Sequence, residues 1–229
     1  MFTKITSRKN EYIRRIRENP DGEIICCGAK MLEEAIKSGA EITSILWKEK
    51  AQDVKCDEQY AAPSDLFDFA SPQVNSPGPV FTVKIDIPQK DVKNAIILEN
   101  VQDPGNVGTV IRTANALGID AVYLYGSCAS LKNPKTVRAT MGAIFYEKVY
   151  TGILPELPIY GAALSDSSVD IRTCDLKSCA VAIGSEGRGL SEELLEKCAG
   201  QIIIPMTKNA ESLNASVAAA ICMWQMTDL

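Results

Sequence analysis

The sequence of 229 residues predicts an α/β fold, and three stretches carry that prediction. Ala95-Ile96-Ile97-Leu98 reads as a buried strand and runs into residues 100–108, a polar loop containing Asp103, Pro104, Gly105 and Asn106. Pro104 fixes φ, while Gly105 and Gly108 permit close backbone approach. Val107, Val110, Ile111, Ala114 and Leu117 then fall at helical spacing, and Gly118 supplies the stop. Cys179 to Ile183 is a second apolar run and enters Gly184-Ser185-Glu186-Gly187-Arg188-Gly189-Leu190-Ser191. Gln201 to Ile204 is a third; it enters Pro205-Met206, a polar loop, and Ser212-Leu213-Asn214 opening another helix. Strands that each end in small and polar residues point to a site at the carboxyl edge of an open sheet, where ligands bind in this class. Arg112, on the helix after the first loop, is expected to project back toward that loop. Taken alone, the first stretch fits a site and a plain strand–loop–helix connection equally well.

Along the chain, Asn10 to Arg17 reads as a helix burying Ile13 and Ile16 and displaying Arg14, Arg15 and Arg17. Residues 1–17 carry six Lys or Arg against Glu11 alone, a net of +5, whereas residues 18–70 carry five Lys against twelve Asp or Glu, a net of −7. With an overall charge of −5, the distribution matters more than the sum. The basic start is either a solvated helix face or a phosphate-contacting surface whose affinity falls steeply with salt. Glu23 to Cys27 is a strand, Ala29 to Ser38 an amphipathic helix closed by Gly39, and Ile42 to Trp47 a strand. A helix is placed around Leu66, Ser71 to Pro79 is a loop, and Val80 to Ile85 is a short strand. Beyond Gly118, Ala121 to Tyr125 is a strand, and Asn133-Pro134 opens a short helix with Lys135 and Arg138 at i and i+3 on one face. Ile159 to Leu164 is another buried run. Ser191 caps a first turn made acidic by Glu192 and Glu193, which would repel a phosphate there.

Composition narrows the chemistry. The chain is long enough for one large or two small domains, and 46% hydrophobic with 23% charged residues is ordinary for a globular protein. No apolar signal region opens it and the apolar run Ser216 to Trp224 is far shorter than a bilayer span, so no membrane attachment is expected. Eight cysteines without a C-x-x-C pair imply reduced thiols in a cytoplasm instead of disulfides or zinc. Cys26, Cys179 and Cys222 sit among apolar neighbours as small core residues. There is no histidine, which removes imidazole acid–base chemistry and the commonest metal ligand, and no metal is expected. Neither G-x-G-x-x-G nor a P-loop motif occurs, which weighs against nicotinamide and nucleoside-triphosphate enzymes.

The stretches Asn100-x-x-Asp103-Pro104-x-Asn106-x-Gly108-x-x-x-Arg112, Gly184-Ser185-Glu186-Gly187-x-Gly189-Leu190, and Ile204-Pro205-Met206 with Ser212-Leu213-Asn214 occur in this order. Together they resemble the three motifs of the SpoU (TrmH-like) branch of the SPOUT-class RNA methyltransferases, over most of residues 94–229. Asn133-Pro134-Lys135 with Arg138 resembles the family segment that faces RNA. The β-α-β pattern ahead of the motifs, with Gly28 preceding Met31 to Ala35, resembles the family's small substrate-binding domain. Two departures stand out: Asn19-Pro20-Asp21-Gly22 occupies the place of a basic segment, and Lys208 the place of a small residue.

The resemblance implies an α/β fold with a C-terminal trefoil-knotted, mainly parallel sheet over residues 89–229 and a small N-terminal RNA substrate-binding domain over residues 1–88. It implies transfer of a methyl group from S-adenosylmethionine to a ribose 2′-hydroxyl, with Arg112, Asn106, Glu186, Ser212 and Asn214 as the catalytic set. Leu164, Gly184, Ser185, Gly187, Ile204, Met206, Ser212 and Leu213 would hold the cofactor, although Ile204, Met206 and Leu213 read as ordinary core without the motif frame. RNA contact falls to Arg8, Lys9, Arg14, Arg15, Lys135 and Arg138. A homodimer is expected, and rRNA is preferred to tRNA because no basic extension precedes the end at Leu229. The alternatives are a tRNA 2′-O-methyltransferase, a non-catalytic RNA-binding protein keeping the fold, and, more distantly, a nicotinamide enzyme.

Overall fold

A computed structural model describes residues 2–84 and 91–228. The end of the strand expected to reach Ile85, the boundary expected at residues 88 and 89, and Leu229 lie outside the described residues. The chain divides into two compact units, one within residues 1–86 and 131–145, the other within residues 87–130 and 146–229.

The first unit holds a five-stranded sheet. Its elements are β1 (Thr3–Lys4), α1 (Glu11–Glu18), β2 (Glu23–Cys27), α2 (Ala29–Ser38), β3 (Ile42–Lys48), β4 (Glu58–Ala62), α3 (Ser64–Ala70) and β5 (Val80–Lys84). The strand order is β1-β4-β3-β5-β2, with β4 parallel to β1 and β3, and β5 antiparallel to β2 and β3. Ile13 and Ile16 of α1 and Leu66 and Phe67 of α3 bury against Ile25 and Leu46. Leu32 and Ala35 of α2 bury against Ile24, Cys26, Ile45 and Phe81. Asn10 caps α1 by accepting from the Tyr12 N–H at 2.9 Å, and Gly39 closes α2 at φ 74°. The Tyr12 hydroxyl donates to Ser44 Oγ at 3.0 Å, and Ser44 Oγ lies 2.6 Å from Thr82 Oγ1, so this buried polar chain is satisfied.

The second unit is built on β6 (Ala95–Glu99), α4 (Pro104–Leu117), β7 (Ala121–Tyr125), β8 (Val149–Thr151), β9 (Ile159–Ala162), β10 (Val169–Asp170), β11 (Ala180–Ile183), α6 (Glu192–Glu196), β12 (Gly200–Ile203) and α7 (Ala215–Met226). The remaining helix, α5 (Pro134–Ala139), belongs to the first unit, where Val137 joins the α2-side core. That departs from keeping Lys135 and Arg138 within the segment 89–229. Seven strands pair in the order β10-β12-β9-β11-β6-β7-β8, every pair parallel. Parallel strands are covered on both faces, so their sequences run apolar without alternation. Ala95, Ile97, Ala180 and Ala182 pack with Leu190 and Leu194, while α4 and α7 pack on one another and on β7 and β11. Asp103 caps α4 through Oδ1, 2.9 Å from the Asn106 N–H, and Gly118 ends it at φ 69°.

The described strand Gly200–Ile203 begins and ends one residue before the expected one, which leaves Ile204 in the following loop. The run expected to continue to Leu164 ends as a strand at Ala162. Among the described residues, no helix is long and apolar enough to cross a membrane. The eight cysteines form no disulfide, and burial pushes the Cys222 thiol up to about 12 and the Cys179 thiol up to about 11.

Burial also pushes the Glu147 carboxyl up to about 8, and its Oε1 has no hydrogen-bond partner among the described residues. The folded chain therefore keeps a proton that the unfolded chain releases near the ordinary value of 4.5. Stability from this group is present below that value and is lost as pH rises through about 8. Thermal melts across this range are expected to show a declining midpoint with rising pH. Glu147→Gln should flatten the decline and raise the midpoint most at its alkaline end.

Candidate active site

The loop after β11 is set by a backbone contact. The Gly189 N–H donates to the Ser185 carbonyl at 2.8 Å, and Ser185 and Gly189 form an isolated bridge with Gly189 at φ 67°. A Cβ on Gly184 would overlap the Gly189 carbonyl and the Leu190 nitrogen, so glycine is obligatory there; around Gly187 nothing lies within 4 Å. The loop then turns into the core at Leu190, and the next residue anchors it. Ser191 donates through its N–H at 2.7 Å and its Oγ at 2.6 Å to the carboxylate of Glu99, which is 2% exposed at the end of β6. The same Oγ accepts from the Leu194 N–H and caps α6. Glu99 thus fastens the second motif to the first. Sequence reasoning missed it, because an acidic residue closing an apolar run looks like a strand emerging into water.

Asn100 has a comparable structural task. At φ 56° its Oδ1 accepts from the Ser127 N–H at 2.8 Å, and Gly126 leaves the room that a Cβ would fill. It joins the loops after β6 and β7.

The three motifs meet at one carboxylate oxygen. Glu186 Oε1 accepts from Asn106 Nδ2 at 2.8 Å, from Asn214 Nδ2 at 2.7 Å and from the Ala215 N–H at 3.3 Å. Asn214 Nδ2 also donates to Asn106 Oδ1 at 3.1 Å, while Asn214 Oδ1 caps α7 through the Ser216 and Val217 N–H groups. Glu186 Oε2 makes no hydrogen bond among the described residues.

Beside this cluster lies a cleft of about 500 Å³. All eight residues assigned to the cofactor line it: Leu164, Gly184, Ser185, Gly187, Ile204, Met206, Ser212 and Leu213, together with Glu186. Leu164 is exposed because it has left the strand and stands at this cleft. Arg188 and Glu211 also line it and were not singled out beforehand. Arg112 does not. It is exposed on α4 and has no ion pair or hydrogen bond among the described residues. Six residues along a helix from Asn106, it is turned about 120° away from that side chain.

In the first unit the cations expected to meet RNA differ in their surroundings. Arg15 is engaged with Glu58 at 3.0 Å. Arg8 and Arg17 lie over the Phe69 ring at 4.5 and 4.1 Å from its centroid. Lys9, Arg14, Lys135 and Arg138 are exposed.

Residues 93–224 match the family model described as SpoU rRNA Methylase family. The chain belongs to the SpoU family. A relative named 23S rRNA (guanosine(2553)-2'-O)-methyltransferase, from Bacillus subtilis (strain 168), is 34% identical over 215 residues, 87% of this chain and 86% of that protein. The solved AdoMet-bound rRNA methyltransferase from Sinorhizobium meliloti shares the fold at a TM-score of 0.84 and 24% identity, over 98% of this chain and 97% of that one. The SpoU methyltransferase AviRb from Streptomyces viridochromogenes, solved with AdoMet, gives a TM-score of 0.84 at 22% identity, over 95% and 97% of the two chains. In this SpoU chain the two motif glycines are separable by experiment. Gly184→Ala is expected to lower stability in urea unfolding by about 1–3 kcal/mol through backbone overlap. Gly187→Ala should stay within about 0.5 kcal/mol of the parent.

Proposed function

We propose that this protein methylates the 2′-hydroxyl of a ribose in ribosomal RNA, with S-adenosylmethionine as donor. The observation that carries the reading is the convergence of the three motifs on Glu186 beside a glycine-rich cleft. The cleft fits the donor. Leu164, Ile204, Met206 and Leu213 offer apolar contact to an adenine face, and the loop at Gly184 and Gly187 presents backbone groups with no side chain in the way. When bound, S-adenosylmethionine supplies an electrophilic methyl group on a sulfonium.

The chain's own residues supply alignment and charge. Alignment of two reactants can be worth about 7–11 kcal/mol. Asn106 and Asn214 hold Glu186 by one oxygen, which leaves Oε2 to accept the ribose proton, and Ser212 is placed in the cleft lining. A guanidinium offers five donors in a planar fork and no acceptor, so the part of Arg112 is to grip the substrate phosphate and stabilise the forming alkoxide. Because Arg112 is absent from the cleft lining of its own chain, we assign its delivery to a second copy of the protein. A homodimer is supported by Val217, Ile221 and Trp224, 48%, 38% and 60% exposed, which form a stripe at i, i+4 and i+7 on α7.

The reading includes a trefoil knot in the second unit. Family membership supports it, as does a strand order in which the last strand, β12, lies between β9 and β10. It also includes RNA contact by the first unit through Arg8, Lys9, Arg14, Lys135 and Arg138. The rRNA substrate is supported by the Bacillus subtilis relative, and it implies a cytoplasmic protein.

The direct test is transfer of labelled methyl from S-adenosylmethionine to rRNA isolated from cells lacking the gene, followed by mapping of the modified ribose. Incorporation is expected, and none into any RNA would sink the reading. Arg112→Lys and Glu186→Gln should each lower kcat/KM by about 100-fold or more. Mixed dimers of these two variants should recover part of the activity, whereas full turnover by Arg112→Lys alone would remove the arginine from the mechanism. Trp224→Glu is expected to give monomers in light scattering.

A further inference from the structure

The first unit contains a second cleft, of about 290 Å³, that no step of the reaction uses. Its walls come from two distant segments, the loop after α3 and helix α5, over a floor from β2 and α2. Lys135 and Arg138 line it, both are exposed, and neither has an ion pair among the described residues. None of the described lining residues is acidic. Asp21, two residues ahead of β2, is paired with Lys132 at 2.9 Å, and Glu23, the first residue of β2, is not among the described lining residues. The apolar part includes Ile25, Met31 and Val74, the last 87% exposed.

The loop wall is ordered by its own hydrogen bonds. Ser71 Oγ accepts from the Gln73 N–H at 3.2 Å and donates to the Gln73 carbonyl at 2.9 Å, which sets the turn carrying the Gln73 amide at the cleft. Burial pushes the thiol of Cys27, on the β2 floor, up to about 11, so the floor carries no charge there at neutral pH. Two free cations, an apolar floor, a side-chain amide and no carboxylate fit a phosphate joined to a flat, partly polar ring. In RNA that combination is offered by an unstacked nucleotide and is hidden in a duplex.

We propose that this cleft binds one unstacked nucleotide of single-stranded RNA, with Lys135 and Arg138 on its phosphate, Met31 and Val74 against its base and Gln73 on the base edge. The proposal rests on the reading of the protein as acting on RNA, and adds a contact separate from the methyl-donor cleft.

The test is fluorescence anisotropy with a short single-stranded oligoribonucleotide and an abasic oligomer of the same length and charge, in the absence of S-adenosylmethionine. The parent should bind the base-bearing strand about tenfold more tightly than the abasic one, since one base stacked or seated is worth about 1–3 kcal/mol. Val74→Glu, at an exposed position where folding is unaffected, should abolish that preference, and Gln73→Ala should reduce it. Lys135→Ala and Arg138→Ala should weaken both strands alike and lower the salt slope by about one each. Equal binding of both strands by the parent, or an unchanged preference in Val74→Glu, overturns the proposal. Failure of methyl transfer with the base preference intact would instead reject only the catalytic reading.

Discussion

The geometry of the second unit depends on one oxygen atom. Glu186 Oε1 collects a donor from the helix after β6, a side chain at the cap of α7, and the first backbone N–H of that helix. Its partners lie eighty and twenty-eight residues away in sequence, so no local preference brings them together. A carboxylate held through one oxygen by two amides is fixed in direction, and the rest of the loop follows. Gly184 allows the chain to fold back on Gly189, and Ser191 then ties the outgoing chain to Glu99. Buried anions need several hydrogen bonds to compensate lost water. Glu99 has two from one residue, which makes Ser191 both helix cap and counterpart.

The parallel sheet is what sets these loops side by side. With every pairing parallel, the carboxyl ends of β6, β11 and β12 emerge at one edge, and the order β12-β9-β11-β6 spaces them across four strands. Both faces of the sheet are buried, so the strands resist shear, and a polar site at their ends is carried on a stiff frame. The cleft is lined largely by small and apolar residues, with the charged hub on one side.

Much of this was legible before any coordinates. Strands such as Ala95–Glu99 and Ala180–Ile183 announce themselves because burial on both faces demands an unbroken apolar run. Ser191 is a cap readable from residue type, and Asn133 and Asn214 mark helix openings, whereas Asn10, expected inside its helix, and Asp103, expected within a loop, prove to be caps as well. The short strands β1, β4, β8 and β10 were not foreseen, because two to five residues with mixed polarity leave no periodic signal. Tertiary partners were equally silent: nothing in the sequence says that Arg15 meets Glu58 while Arg8 and Arg17 share the Phe69 ring. The motif residues grouped as one catalytic set prove to differ in place, with Asn106, Glu186 and Asn214 joined and Arg112 standing apart.

The segment 131–145 crosses into the first unit and returns, so the chain passes between the units three times. During synthesis the first unit cannot close its core when its own strands have emerged, because Val137 has yet to leave the ribosome. Its completion waits until β6 and β7 have also been made, which couples the folding of the two halves in time. A cut between them, however placed, would leave one half short of a helix that the other half's chain must deliver.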